Sequence, residues 1–140
     1  MFVLALMTAA CSNNTTTPSS TSTTSTTTAA VATPTTSEPF AATIGVGGSA
    51  FYSFNIAANG TVNVTLNSVG GAGVPATVQL GLGIGTPAGV DCSVTSSVTA
   101  AAGTSPQLTG TFGPGLFCVR VYDVGNLSAP AAFKATIAHS

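Results

Sequence analysis

Charge is almost missing from this chain: its 140 residues hold two Lys or Arg, three Asp or Glu and one His. That 4% charged content stands against about 25% in an ordinary soluble domain. Nucleic-acid binding needs Lys and Arg to neutralise phosphates, and Arg120 and Lys134 alone cannot follow a backbone, so nucleic acid is set aside as a partner. The same shortage removes electrostatic steering and disfavours an acidic ligand. Histidine is as scarce. His139, the only one, stands next to last, where a Ser/His/Asp relay would need it held against the mobility usual at termini. A two-carboxylate mechanism would need acids paired at a cleft. The domain offers Asp91 and Asp123, each beside turn residues, where Asp forms turns or pairs with Arg120. Zinc would find too few ligands. The expectation is a non-enzyme with no cofactor and no metal.

Long apolar runs are missing too. Phe2 to Met7 is far short of the roughly 20 apolar residues that cross a bilayer, and no later run is long and continuous. This first stretch, MFVLALMTAAC, reads instead as a signal peptide over residues 1–10, with Thr8, Ala9 and Ala10 as the small residues before cleavage. The basic start of such a leader is missing, which points to a start further upstream. Ala9, Ala10 and Cys11 resemble the lipobox of a bacterial lipoprotein. That resemblance implies a lipid on Cys11 and a location at the cell envelope or surface; the alternative is ordinary cleavage after Ala10 and secretion. Cysteine arithmetic agrees with lipidation, since an acylated Cys11 leaves Cys92 and Cys118 to pair as a disulfide. Several acyl chains, at about 0.8 kcal/mol per buried methylene, would hold the protein on a membrane durably.

Residues 11–39 form the lipidated cysteine and a Ser/Thr/Pro-rich linker, SNNTTTPSSTSTTSTTTAAVATPTTSEP after Cys11. It has no apolar periodicity and nothing to offset the entropy of ordering, so it reads as a tether spanning about 30 Å. Its composition also fits an O-glycosylated stalk. Glu38 at its end reads as a solvated charge.

From Phe40 the texture changes to Val, Ile, Phe, Tyr and Thr at period two, broken by Gly, Pro and Asn-Gly, the pattern of antiparallel sheet. Tyr52, Phe54 and Ile56 alternate with Ser53 and Asn55. After Asn59-Gly60, Val62, Val64 and Leu66 alternate with polar residues, which predicts a hairpin. Val78, Leu80, Leu82 and Ile84 alternate with Thr77, Gln79, Gly81 and Gly83, predicting a strand whose glycine face invites a close backbone approach or a bulge. Further strands are expected over 92–99, 107–111, 116–123 and 131–138, with another near Ile44. About eight strands at this spacing predict an all-β fold: a single antiparallel β-sandwich over residues 40–140, jelly-roll-like. Phase complicates the disulfide. Cys118 shares a face with Arg120 and Tyr122, whereas Cys92 is in step with Val94 and Val98, so Cys92 is expected ahead of its strand, where phase is not yet set.

The segments FYSFNIAANGTVNVTLNS, 51–68, and GLFCVRVYDVGN, 115–126, followed by AFKATI resemble the bacterial pre-peptidase C-terminal domain. This family is a small jelly-roll-like sandwich often appended to secreted proteases. Its acidic residues ahead of the third core strand are replaced here by ATVQLGLGIG, so no calcium site is carried over. The resemblance implies an accessory or adhesive module. Two functions are expected from these readings. One is a surface-displayed module binding a glycan or another neutral polymer through Tyr52, Tyr122, Asp123 or a hydroxyl-rich face. The other is a structural subunit that self-associates through sheet edges into a filament or layer.

Overall fold

A computed structural model describes Thr28 and residues 30–140. The expected signal peptide, the expected lipidation site Cys11 and most of the expected tether therefore lie outside the described residues. Eight strands follow one another: β1 Thr36–Ile44, β2 Ser49–Ile56, β3 Gly60–Gly70, β4 Gln79–Ala88, β5 Asp91–Ala101, β6 Leu108–Phe112, β7 Gly115–Tyr122 and β8 Ala131–His139. They form two four-stranded antiparallel sheets, ordered β1-β8-β3-β6 and β2-β7-β4-β5. The pairs β1·β8, β2·β7, β3·β6 and β4·β5 are nested, so the chain is one long hairpin rolled over on itself. This is the jelly-roll sandwich that the alternation predicts. Among the described residues no helix is long and apolar enough to cross a membrane.

Rolling corrects one expectation. β2 and β3 are not a hairpin, because they lie in different sheets and the link through Asn59 arches across the sandwich. Phe54 and Ile56 face Val62, Val64 and Leu66 through the core instead of beside them; all five are buried. Alternation alone is the same in both arrangements. Burying each such side chain contributes about 1.5–3 kcal/mol. Aromatic rings join the two layers: Phe40 of β1 meets Tyr52 of β2 at 5.7 Å, and Phe117 of β7 meets Phe112 of β6 at 5.1 Å, while Phe133 packs edge-on against Phe40 within its own sheet at 5.0 Å.

The domain also begins earlier than Phe40. Thr36, Ser37, Glu38 and Pro39 belong to β1 and pair with His139, Ala138, Ile137 and Thr136 of β8. Ala32 bridges Gly60, and Thr35 donates its N–H to the His139 carbonyl at 3.0 Å. Composition reads these residues as tether because most of them are Ser, Thr and Pro. They are ordered by the free edge of β8, which supplies hydrogen bonds that the tract cannot supply itself.

The glycine face of β4 takes both of its expected forms. Beside Ile84 and Gly85 the pairing with β5 shifts register, leaving Thr95 as an extra residue whose hydroxyl donates to the Ile84 carbonyl at 3.2 Å. The bulge reverses the phase of β5. Val98 and Ala100 pack on the core, while Cys92 and Val94 lie on the outer face with Cys118. Cys92 is thus inside β5, paired with Pro87, and not ahead of the strand. The bulge, not a loop, resolves the phase conflict. The Cys92–Cys118 disulfide forms with Cα atoms 5.9 Å apart, less than two strand spacings, because the start of β5 folds over β4. A side chain at Gly85 would collide with the Ser93 carbonyl there, and one at Gly81 with the Tyr122 ring.

Candidate functional site

The outer face of the β1-β8-β3-β6 sheet is built from residues that alternate away from the core: Ala41 and Thr43 of β1, Ala132, Lys134 and Thr136 of β8, Ser68 and Gly70 of β3. Their side chains are mostly short, and a second bulge, between Leu66 and Ser68, bends β3. Small residues on a bent sheet leave a depression. It holds a cavity of about 510 Å³ over Ala41, Thr43, Ser68, Gly70, Ala132 and Lys134. A second cavity of about 390 Å³ continues it past Pro39, Asn67 and Thr136. Ala41 and Lys134 line both, so the two form one groove. Its polar groups are hydroxyls, an amide and one ammonium. Two cross-strand bonds order the face: Thr136 Oγ1 donates to Asn67 Oδ1 at 2.8 Å, and Thr109 Oγ1 to Asn63 Oδ1 at 2.9 Å. Lys134 is exposed, and among the described residues no acidic side chain comes within ion-pair distance of it.

A second polar cluster closes the side of the sandwich where edge strands β1 and β2 meet. Glu38 is not a solvated charge: its Oε2 accepts from the Tyr52 hydroxyl at 2.5 Å, and its Oε1 lies 2.8 Å from His139 Nε2. The His139 Nδ1 is 3.3 Å from the Ser140 carbonyl, and its ring centroid lies 5.1 Å from that of Phe54. Far from being a loose terminus, His139 is only 4% exposed. The bond from Tyr52, then that from His139, holds the Glu38 carboxyl below the usual carboxylate range, while the Glu38 partner raises the Tyr52 hydroxyl above the usual phenol value. Both ring nitrogens and the Tyr52 hydroxyl have partners within the cluster. Chemically it is a clasp between the first strand, the second strand and the last.

The three side chains expected to bind a ligand go to three places. Tyr52 points to the inside of its sheet, sharing a face with Val119 and packing on Phe40 at 5.7 Å. Tyr122 lies on the outside of that sheet, over Gly81, with the Arg120 guanidinium 5.7 Å from its ring. Asp123 organises loops. Its Oδ2 accepts from the Gly47 N–H at 2.8 Å, and its Oδ1 from those of Gly125, Asn126 and Leu127 at 2.8, 2.9 and 3.1 Å. These bonds, that from Gly47 foremost, hold its pKa below the ordinary carboxylate value. Asp91 accepts from the Cys92 N–H at 2.8 Å and lies 3.6 Å from Arg120. Both acids thus have the turn and ion-pair roles expected of them.

The groove residues were missed by sequence reasoning. Alternation marks Ala132, Lys134 and Thr136 as one face of β8, yet nothing local shows that Thr43 and Ser68 lie beside them. Among the described residues no three His, Cys, Asp or Glu side chains gather as metal ligands. No family model matches this chain, and no curated protein matches it.

Proposed function

We propose that this domain is a non-catalytic binding module, tethered to a bacterial cell envelope by a lipid on Cys11, whose groove over β1, β8 and β3 receives a polyhydroxylated polymer such as a glycan. The observation that carries the reading is the groove itself, an open channel lined by Thr43, Ser68, Asn67 and Thr136 between small side chains. Hydroxyls and amides that both donate and accept suit a ligand made of the same groups. Apolar floor between them suits the C–H faces of sugars. The engagement of the only histidine within the clasp, and of both domain aspartates in turns, supports a module that holds a ligand without transforming it. The resemblance to the pre-peptidase C-terminal family points the same way.

Affinity electrophoresis against a panel of soluble polysaccharides tests this. Retention is expected for the native domain and for a Ser53→Gln variant on the opposite sheet, and its loss when Ala41→Leu and Ala132→Leu fill the groove. Unchanged retention of the filled variant would remove the groove from the account. Intact-mass measurement of membrane-extracted protein tests the anchor: an unmodified Cys11 ends that part of the proposal.

A second reading, a subunit assembling through sheet edges, draws on β2. The edge strand β1 carries Glu38 and Pro39, and β6 has five residues, but β2 offers eight residues without a charge or a proline. Sedimentation velocity separates the readings, since only the subunit grows in size with protein concentration.

A further inference from the structure

We propose that the polymer held in this groove carries carboxylate groups, as in a polysaccharide containing uronic acids, and that Lys134 is the cation that receives them. The inference rests on the reading of the groove as a polymer site and adds the charge of the ligand.

Whole-chain composition argues against an acidic ligand, but composition averages over faces that the fold keeps apart. All three acids are spent elsewhere. Glu38 turns inward to Tyr52 and His139, Asp91 sits against Arg120, and Asp123 is enclosed by four backbone N–H groups. The outer face of the β1-β8-β3-β6 sheet therefore holds, among the described residues, one charged side chain, Lys134 on β8. Its strand is flanked by β1 and β3, so Lys134 stands in the middle of the channel, where both cavities meet. A cation without a counter-charge on a floor of Ala, Gly, Ser and Thr acts with little opposing field. Low charge elsewhere increases its weight. A lysine that served solubility alone has many exposed positions open to it on such a neutral surface, whereas this one lies in the groove.

An ammonium donates to a carboxylate from any side as a point charge, and the hydroxyls of Thr43 and Ser68, the NH2 of Asn67 and the acceptor side of the Thr136 oxygen, whose hydrogen goes to Asn67 Oδ1, remain for the sugar ring. One cation per domain fits one carboxylate at a time, with neighbouring sugar units along the two arms of the groove.

The test uses the whole chain with four probes: polygalacturonate, alginate and the methyl ester of each, titrated calorimetrically at low and at high salt. Esterification keeps the sugars and removes the charge. The expected result is binding of the acid polymers at least ten-fold tighter than their esters, lost to the level of the ester in Lys134→Gln, kept in Lys134→Arg, and weakened by salt. Equal binding of acid and ester, or a preference unchanged in Lys134→Gln, would overturn the assignment of charge while leaving the groove as a polymer site. Binding of neutral glycans alone would do the same. Failure to bind any polysaccharide would overturn both readings.

Discussion

Replacing Gly85 by Ala is a sharp test of the way β5 folds over β4. The added methyl would meet the Ser93 carbonyl, a backbone atom, whereas at Gly83 it would meet the side chain of Val94. Side-chain atoms yield more readily than backbone. Backbone held by a ladder on one side and a disulfide one residue off on the other does not yield, because Ser93 adjoins Cys92 and Cys92 is bonded to Cys118. Overpacking of this kind costs about 2–3 kcal/mol, which for a domain of this size lowers Tm by roughly 10–20 °C. Gly45→Ala is the control: its surroundings are open to 4 Å and its φ is not positive, so it is expected to stabilise by about 0.4–1 kcal/mol. Urea unfolding followed by far-ultraviolet circular dichroism reads both variants, since the chain has no tryptophan. Removing the bridge with Cys92→Ala and Cys118→Ala opens a loop spanning 26 residues and costs about 3.5 kcal/mol by loop-closure entropy. With the pin gone the arm of β5 shifts, and the cost of Gly85→Ala falls by at least about 1 kcal/mol, a coupling visible in a double-mutant cycle. A Gly85→Ala variant within about 0.5 kcal/mol of the native protein would refute the close approach. Additive costs would refute the role of the disulfide in enforcing it.

Three further outcomes follow from the polar contacts. Glu38 has its pKa lowered in the folded state from 4.5, so it contributes stability that is fully present above that value and is lost as pH falls through the lowered one; thermal melts from about pH 6 down to pH 3 are expected to show this decline, and Glu38→Gln to flatten it. Gln107 accepts from the Leu66 N–H at 2.7 Å and donates to the carbonyls of Leu66 and Ala101 at 3.2 and 3.3 Å, standing in for a strand beside β3 just before β6 starts. Gln107→Glu keeps the acceptor and loses both donations, so chemical denaturation is expected to register a loss of about 1–3 kcal/mol at neutral pH that shrinks in acid as the carboxyl regains a proton. Asp123→Asn retains an acceptor for the Gly125, Asn126 and Leu127 amides but turns a donor toward Gly47; amide exchange by NMR is expected to quicken at Gly47 alone.

Strand positions were legible because burial on one face imposes a period of two on the side chains, and that period survives in Tyr52–Ile56, Val62–Leu66, Val78–Ile84 and Phe133–Ile137. Cysteine number points to the Cys92–Cys118 disulfide when Cys11 is read as the lipidated one. The geometry of the bridge was not legible, since the bulge at Thr95 depends on a partner strand that local pattern does not name. The extent of β1 was hidden for a related reason. Thr36 to Pro39 resemble in composition the Ser/Thr/Pro-rich sequence before them, and only the waiting edge of β8 makes them a strand.

The candidate site was less legible than the fold. Residue type singles out Tyr52, Tyr122 and Asp123, but the sandwich sends one inward, one outward and one into a loop junction. Lys134 was visible as one of two cations, without any sign that Thr43 and Ser68 would flank it.

By itself the sequence determined the class of fold, the faces of its strands and the poverty of charge, because each is a property of composition or of neighbours along the chain. Tertiary structure alone decided that Glu38 meets a histidine 101 residues away, that all three acids turn from the groove and that one lysine stands in it. Those outcomes depend on which strands become neighbours when the long hairpin rolls up, and that choice is made by closing the whole core at once.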